Sequence, residues 1–169
     1  MTAMKDLLAE QIPRLRRYAR ALLRSVGAAD DLVQDTLERA WSRRHLWRED
    51  SDLRAWLFTI MHNVFVNQYH RAALAPPTIA MEAETPVPQN DSSPEENLVA
   101  RDLANALAQL SPDLREVIVL VGVEQMRYED VARILEIPIG TVMSRLSRAR
   151  ERLRLLMAGQ APSSLRRIK

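Results

Sequence analysis

An acidic, proline-rich stretch near the middle of the chain limits the folds that this sequence can adopt. Residues 74–95 contain five of the nine prolines, and apolar residues do not recur there at the spacing of a helix. Residues 74–99 carry five acidic side chains and no basic one. The stretch therefore predicts an extended, flexible linker between two folded units of roughly 70 residues each.

Composition favours helices on both sides of this linker. Leu, Ala, Arg and Glu dominate, whereas aromatic residues make up 5% of the chain and glycine occurs only four times. Such a composition argues against β sandwiches, β barrels and glycine-rich nucleotide folds. We predict an all-α protein of two small helical domains joined by a flexible linker. The expected limits are 1–73 and 96–158 for the domains, 74–95 for the linker and 159–169 for a basic tail.

The first half shows apolar stripes typical of helices separated by polar breaks. One helix is expected over about residues 5–25, with Gly27 ending that unit. Either Asp30 or Asp31 is expected to cap a second helix, which continues to about residue 44. A polar loop follows, and a third helix is expected over about residues 53–71.

The second half contains the pattern of a helix-turn-helix. A helix is expected from about residue 94 to 110, and residues 128–142 predict a short helix, a turn at 136–138 and the start of another helix. Residues 139–155 carry five arginines and one glutamate, a surface suited to DNA phosphates. An ordinary helix pair with a solvated basic face is the alternative interpretation.

The packing of this helix pair follows from its apolar spacing. Three residues of the first helix and four of the second are expected to be buried. They are Val131, Ala132 and Leu135, then Val142, Leu146, Ala149 and Leu153.

Several classes of site are excluded by residue content. The chain has no cysteine, and its three histidines are too few for a convincing zinc site, so we expect neither metal nor cofactor. No phosphate-binding loop or nucleophile arrangement is present, which argues against an enzyme. No apolar run is long enough to cross a membrane and no signal peptide is visible, so a cytoplasmic location is expected.

Four segments in order resemble the extracytoplasmic-function group of bacterial sigma-70 factors. Residues 140–146 (GTVMSRL) are similar to the family motif GTVKSRL, and residues 110–117 (LSPDLREV) to the motif LPPxxREV. In the first half, residues 29–36 resemble the core-polymerase-binding helix and residues 53–60 the promoter-melting helix. The resemblance implies a sigma region 2 bundle, a sigma region 4 helix-turn-helix, and a dissociable subunit that gives RNA polymerase its promoter specificity.

The resemblance also implies roles for individual residues. Asp31, Gln34 and Asp35 would contact the clamp helices of the largest polymerase subunit, although helix capping and solvation also explain such residues. Minus-ten DNA would meet Trp47, Arg48, Ser51, Arg54, Asn63 and Arg71, with Trp47 stacking on a flipped base and Asn63 reading its edge. Minus-thirty-five DNA would meet Thr141, Ser144, Arg145, Ser147 and Arg148.

Four residues depart from the family pattern. Glu49 and Glu136 stand where glycine is common, and the second of these substitutions predicts strain in the helix-turn-helix turn. His62 stands where an aliphatic residue or arginine is frequent, and Met143 removes a cation.

The resemblance further implies binding to the polymerase flap and to promoter DNA, and control by an anti-sigma factor. Two other functions stay open at this point. One is a sigma-like mimic that sequesters an anti-sigma factor, and the other is a plain helix-turn-helix transcription regulator.

Overall fold

The computed structural model describes residues 2–74 and 93–159, and across these ranges the regular structure is entirely helical. The first half contains α1 (Thr2–Leu22), α2 (Val26–Ser42), a 3-10 turn (Arg44–Leu46) and α3 (Leu53–Leu74). The second half contains α4 (Pro94–Ala108), α5 (Pro112–Ile118), a π-helical turn (Val119–Val123), α6 (Tyr128–Leu135) and α7 (Ile139–Gly159). The all-α prediction is confirmed. Most of the expected linker and the expected tail lie outside the described residues.

The start of α2 is set by a serine rather than by an aspartate. Ser25 lies in extended conformation before the helix, and its Oγ accepts a hydrogen bond of 3.2 Å from the backbone N–H of Ala28. The prediction that Gly27 ends a unit and that Asp30 or Asp31 caps the helix was therefore wrong. Gly27 lies in the first turn of α2, and both aspartates lie further along the helix on its exposed side.

The start of α4 has the reciprocal hydrogen bonds of a capping box. The Ser93 hydroxyl accepts from the Glu96 backbone N–H at 3.3 Å, and the Glu96 carboxylate accepts from the Ser93 N–H at 3.1 Å. Pro94 occupies the first helical position, where its missing N–H costs nothing. The helix therefore begins where the sequence predicted, inside the last residues assigned to the linker.

The two halves share one continuous apolar core. Helix α3 packs against α6, and α1 packs against α4, α5 and the π-helical turn. The ring of Tyr18 meets that of Phe58 edge-on at 5.1 Å, and both rings are fully buried. Two short helical bundles bury little apolar surface separately, so their apolar faces are covered by docking against each other. Core residues from both sides include Leu57, Met61, Val117, Leu120 and Val131.

One arginine donates hydrogen bonds to backbone carbonyls at the ends of two helices. The side chain of Arg115 on α5 reaches carbonyls in the last turns of α1 and α4 and one carbonyl just after α4. The bonds are 2.7 Å to Leu22, 2.8 Å to Leu107, 2.9 Å to Ala108 and 2.7 Å to Leu110. Burial, together with nearby Arg24, lowers the pKa of Arg115, yet a guanidinium stays protonated in proteins.

The helix-turn-helix turn adopts the strained backbone that the sequence predicted. Glu136 ends α6 in the left-handed region, with φ 54° and ψ 46°. The next residue, Ile137, donates its N–H to the Ala132 carbonyl at 3.0 Å, which closes the last turn of α6. A Cβ atom in this conformation is unfavourable, and glycine avoids the cost.

We expect Arg115→Met to lower the free energy of unfolding by about 3 kcal/mol, because four carbonyls at helix ends lose a charged donor while the apolar stem is kept. Urea denaturation followed by circular dichroism measures the change. Arg101→Met, at an exposed position of α4, is the matched control and should change stability by less than about 0.5 kcal/mol. Equal losses in both variants would contradict the role of Arg115.

We expect Glu136→Gly to raise the free energy of unfolding by about 0.5–1 kcal/mol, because glycine adopts the left-handed turn without strain. Thermal and urea denaturation measure the gain. Glu136→Ala removes the same carboxylate but keeps the Cβ, so it should give no such gain. Equal stability of the glycine and alanine variants would show that the turn stores no strain.

Candidate nucleic-acid and polymerase interface

The buried residues of the helix-turn-helix are largely the predicted ones. In α7, Val142, Leu146 and Ala149 are buried, and Leu153 is half-buried. In α6, Val131 and Leu135 are buried and Ala132 is half-buried, and Ile134 is buried as well. The prediction missed Ile134 because α6 packs on two sides, against α7 and against α3 of the other half. A helix that contacts two neighbours has a wider apolar face than a single stripe predicts.

The five residues predicted to meet minus-thirty-five DNA share the outer face of α7. Ser144, Ser147 and Arg148 are exposed, and Thr141 is half-buried near the start of the helix. The side chain of Arg145 is 25% exposed, and its Nη2 lies 3.9 Å from Asp113 Oδ2. The face is therefore polar, basic and accessible, as a recognition helix requires.

A groove of mixed polar and apolar lining lies beside this face. Tyr128 at the start of α6 lines it, together with residues from successive turns of α7. Met143, which replaces the usual cation, is half exposed on this side of the helix. The α7 residues are Met143, Leu146, Ser147, Arg150, Glu151 and Arg154.

An acidic residue that sequence reasoning missed organises the start of α6. The buried carboxylate of Asp130 accepts a hydrogen bond of 3.1 Å from Arg127 and another from Arg133. Burial acts to raise the pKa of Asp130, but the two guanidinium groups outweigh it and hold that pKa below its ordinary value. The carboxylate stays charged near the positive end of the helix dipole, which favours this orientation of α6.

The residues predicted to contact polymerase lie along α2. Asp31 and Gln34 are exposed, and the Gln34 amide donates to Glu38 at 3.1 Å. Asp35 is half-buried and accepts a hydrogen bond of 2.9 Å from Gln68 of α3. Asp35 therefore helps to set the position of α2 against α3, while the other two residues point to solvent.

The loop before α3 brings three of the predicted minus-ten residues together. Arg48 forms a two-pronged ion pair with Asp50 at 3.0 and 3.1 Å, and Ser51 donates its hydroxyl to the Arg48 carbonyl at 2.7 Å. Trp47 is half-buried, and its Nε1 is covered but has no hydrogen-bond partner within residues 2–74 and 93–159. Asp52 Oδ1 then caps α3 by accepting from two backbone N–H groups of its first turn.

The other predicted minus-ten residues separate into two groups on α3. Asn63 and Arg71 are exposed and lie two turns apart, so they present one face of the helix. Arg54 instead donates to the Glu124 carbonyl of the second half at 3.2 Å. His62 also faces the second half, with its Nδ1 2.8 Å from Glu116 Oε1. Sequence reasoning could not pair Arg54 with Glu124, which lies 70 positions away, or His62 with Glu116, which lies 54 positions away.

Neither of two other kinds of site is found in the part of the chain that the structure describes. No helix there has the length and apolar character required to span a membrane. No group of three or more metal-ligating side chains there is placed to hold a metal ion.

Comparison with known proteins connects both halves to one family. Residues 8–62 match the model of the sigma2 domain of PhyR, and residues 100–153 match that of sigma-70 region 4. The chain is 35% identical to the ECF RNA polymerase sigma factor EcfG of Rhodopseudomonas palustris, over 92% of this chain and 85% of that protein. It is also 35% identical to the ECF sigma factor SigL of Mycobacterium tuberculosis, over 91% of this chain and 88% of that protein.

A solved structure supports the same relationship. The sigma factor RpoE of Bartonella quintana, solved in complex with the anti-sigma factor NepR, superposes with a TM-score of 0.78 at 35% identity. The match covers 95% of this chain and 99% of that one. On these similarities and on its two helical halves, the chain belongs to the extracytoplasmic-function group of the sigma-70 family of RNA polymerase sigma factors.

Proposed function

We propose that this protein is an alternative sigma factor that binds core RNA polymerase in the bacterial cytoplasm and directs it to specific promoters. The observation that carries the proposal is the presence, in one chain, of an exposed acidic face on α2 and an exposed serine and arginine face on α7. Sigma factors named as such match both halves in the same order. The protein would act by binding and positioning rather than by catalysing a reaction.

In this proposal, region 4 comprises residues 96–158 and reads the minus-thirty-five element with α7. Support comes from the position of Thr141, Ser144, Arg145, Ser147 and Arg148 on one accessible face. Serine and arginine side chains on a recognition helix reach base edges and phosphates in the major groove. Region 4 would also contact the polymerase flap.

Region 2, over residues 1–73, would bind the polymerase clamp and the minus-ten element. Asp31 and Gln34 are free to contact a clamp helix, and Asp35 would hold α2 in the orientation that presents them. Trp47, Arg48 and Ser51 would form the pocket for a flipped base, with Asn63 and Arg71 along the neighbouring helix. Arg54 can join them only after it leaves Glu124. Residues 74–95 would tether the two regions.

An anti-sigma factor is the partner that would control this protein. RpoE of Bartonella quintana is solved with the anti-sigma factor NepR, and CnrH, 27% identical with a TM-score of 0.71, is solved with the cytosolic domain of CnrY. In this chain, Leu98 and Val99 are mostly exposed on α4. These apolar side chains would suit the apolar face of an inhibitory helix.

A sigma-like mimic that sequesters an anti-sigma factor is the second candidate function. It is favoured by the match of region 2 to the sigma2 domain of PhyR, a protein solved in complex with NepR. NepR is an anti-sigma factor in the Bartonella complex. A mimic needs the sigma fold but has no use for an accessible basic recognition face, which this chain retains on α7.

In vitro transcription with purified core polymerase and a pool of genomic promoter fragments distinguishes these functions. New transcripts that depend on the protein would establish a sigma factor, and their start sites would locate both promoter elements. Binding to an anti-sigma factor and to core without transcription from any fragment would favour the mimic. Absence of core binding would favour a plain helix-turn-helix regulator.

We expect Arg148→Ala to weaken binding of the holoenzyme to its promoter by about 1–3 kcal/mol, because an exposed arginine on the recognition helix loses its contact with base or phosphate. Filter binding or fluorescence anisotropy at fixed salt measures the loss. Arg101→Ala, which removes the same charge from the exposed surface of α4, is the control. Equal affinities of the two variants would rule out a role for Arg148 in promoter recognition.

We expect Asp31→Arg to weaken binding to core polymerase at least about tenfold, because it reverses a charge at the proposed clamp contact. Competition with a labelled sigma factor measures this affinity. Asp6→Arg, which makes the same reversal at an exposed position of α1, should leave it nearly unchanged. Tight core binding by Asp31→Arg would remove α2 from the proposed interface.

A further inference from the structure

Two exposed apolar side chains lie at the start of α7, outside the core. Met143 is 50% exposed, and Ile139, one helical turn earlier, is 41% exposed. The buried stripe of the helix runs instead through Val142, Leu146 and Ala149. Residues four apart lie on the same side of a helix, about 6 Å apart along its axis. Ile139 and Met143 therefore form one apolar strip beside the recognition face.

The residues next to Met143 on the helix surface are small. Gly140 and Ser147, three positions before it and four positions after it, are both exposed. A Cβ atom placed on Gly140 would meet no side chain within 4 Å other than those of its chain neighbours, so the space beside the methionine is open. Met143 therefore extends beyond these neighbours and is free to contact a ligand that approaches this end of α7.

The position of the strip in the helix-turn-helix limits what it can contact. The first residues of a recognition helix reach base edges in the major groove, and Met143 is the fifth residue of α7. Its neighbour in sequence, Ser144, belongs to the face that we assign to the minus-thirty-five element. A duplex bound on that face therefore lies against Met143 as well.

The chemistry of the methionine side chain selects one feature of the major groove. Most groups on the base edges there are hydrogen-bond donors or acceptors, and a thioether is only a weak acceptor. The apolar exception is the C5 methyl group of thymine. A methionine side chain is flexible and polarisable, so it can adapt its packing to such a group. A lysine or arginine at the same position would be drawn to phosphates, which carry no sequence information.

We propose that Met143 is a specificity-determining residue that packs against the C5 methyl group of a thymine in the minus-thirty-five element, with Ile139 beside it. This inference rests on the proposed sigma function and names a base feature that region 4 reads. The contact removes apolar surface of both partners from water, which favours thymine over the other three bases. Met143 thus replaces the general attraction of a cation for DNA by a preference among sequences.

Removal of single methyl groups from the DNA tests this contact. Promoters that the holoenzyme transcribes in vitro supply the minus-thirty-five sequence. Each thymine on either strand is then replaced in turn by deoxyuridine, which pairs in the same way but lacks the C5 methyl group. Fluorescence anisotropy at fixed salt measures binding of the holoenzyme to each duplex.

We expect deoxyuridine to weaken binding about three- to fivefold at one thymine or at two adjacent ones, which is the effect of losing one buried methyl group. Replacement of the same thymine by bromodeoxyuridine should restore the affinity, because a bromine atom is close to a methyl group in size. Deoxyuridine at the other positions should leave binding nearly unchanged.

Variants of the protein show whether Met143 is the residue that reads this methyl group. Met143→Ala shortens the side chain, so it should bind the thymine and deoxyuridine duplexes about equally. Met143→Leu keeps an apolar side chain of similar volume and should keep the preference for thymine. Leu155→Ala truncates an apolar residue of the same 50% exposure at the far end of α7, and this matched control should keep the preference as well.

The outcomes separate the thymine contact from the sigma function. If the holoenzyme transcribes but its promoter binding is insensitive to every thymine methyl group, the role of Met143 is overturned and the sigma function stands. A minus-thirty-five element without any A·T pair would have the same meaning. A methyl effect of equal size in Met143→Ala would assign the contact to another residue and overturn the proposal. Absence of transcription on every promoter would count against both.

Discussion

The guanidinium of Arg115 holds the ends of two helices from different halves of the chain. Its bonds to Leu107 near the end of α4 and to Leu22 at the end of α1 supply a charged donor to carbonyls of the last helical turns. The geometry needs several donors in one plane, which arginine has and lysine lacks. With Arg115 in place, the next residue, Glu116, is directed into the interface with region 2. Arg115 thus adds a polar junction to the contact between the two regions.

Around this point the interface combines an apolar core with buried charges. The apolar part is continuous from Phe58 of α3 to Val131 of α6 and provides the bulk of the adhesion. The buried carboxylates of Glu116 and Glu124 add less net stability, because their desolvation offsets the hydrogen bonds that they accept. They do favour one relative arrangement of the regions, since any other arrangement that keeps them buried would leave them unpaired.

Predictions from the sequence were accurate for features that depend on residues close together in the chain. The capping box at Ser93, the left-handed turn at Glu136 and the buried stripe through Val142 depend on neighbours in sequence. The predicted start of α2 was wrong. An aspartate inside the helix was chosen as the cap because acidic residues are favourable throughout the first helical turn. Ser25 caps the helix instead, because its hydroxyl belongs to the residue just before the first turn.

The amino-acid sequence alone determined the helical class, the division at the proline-rich stretch, the family and the accessible face of α7. Each of these depends on local spacing or on motif order. Only the tertiary structure decided that Arg54 and His62 face region 4, that Asp35 binds Gln68 and that Ile134 is buried. Hydrophobic periodicity shows which face of a helix avoids water but not which surface covers it. Likewise, the sequence around a polar side chain does not indicate which residue, tens of positions away, it will bind.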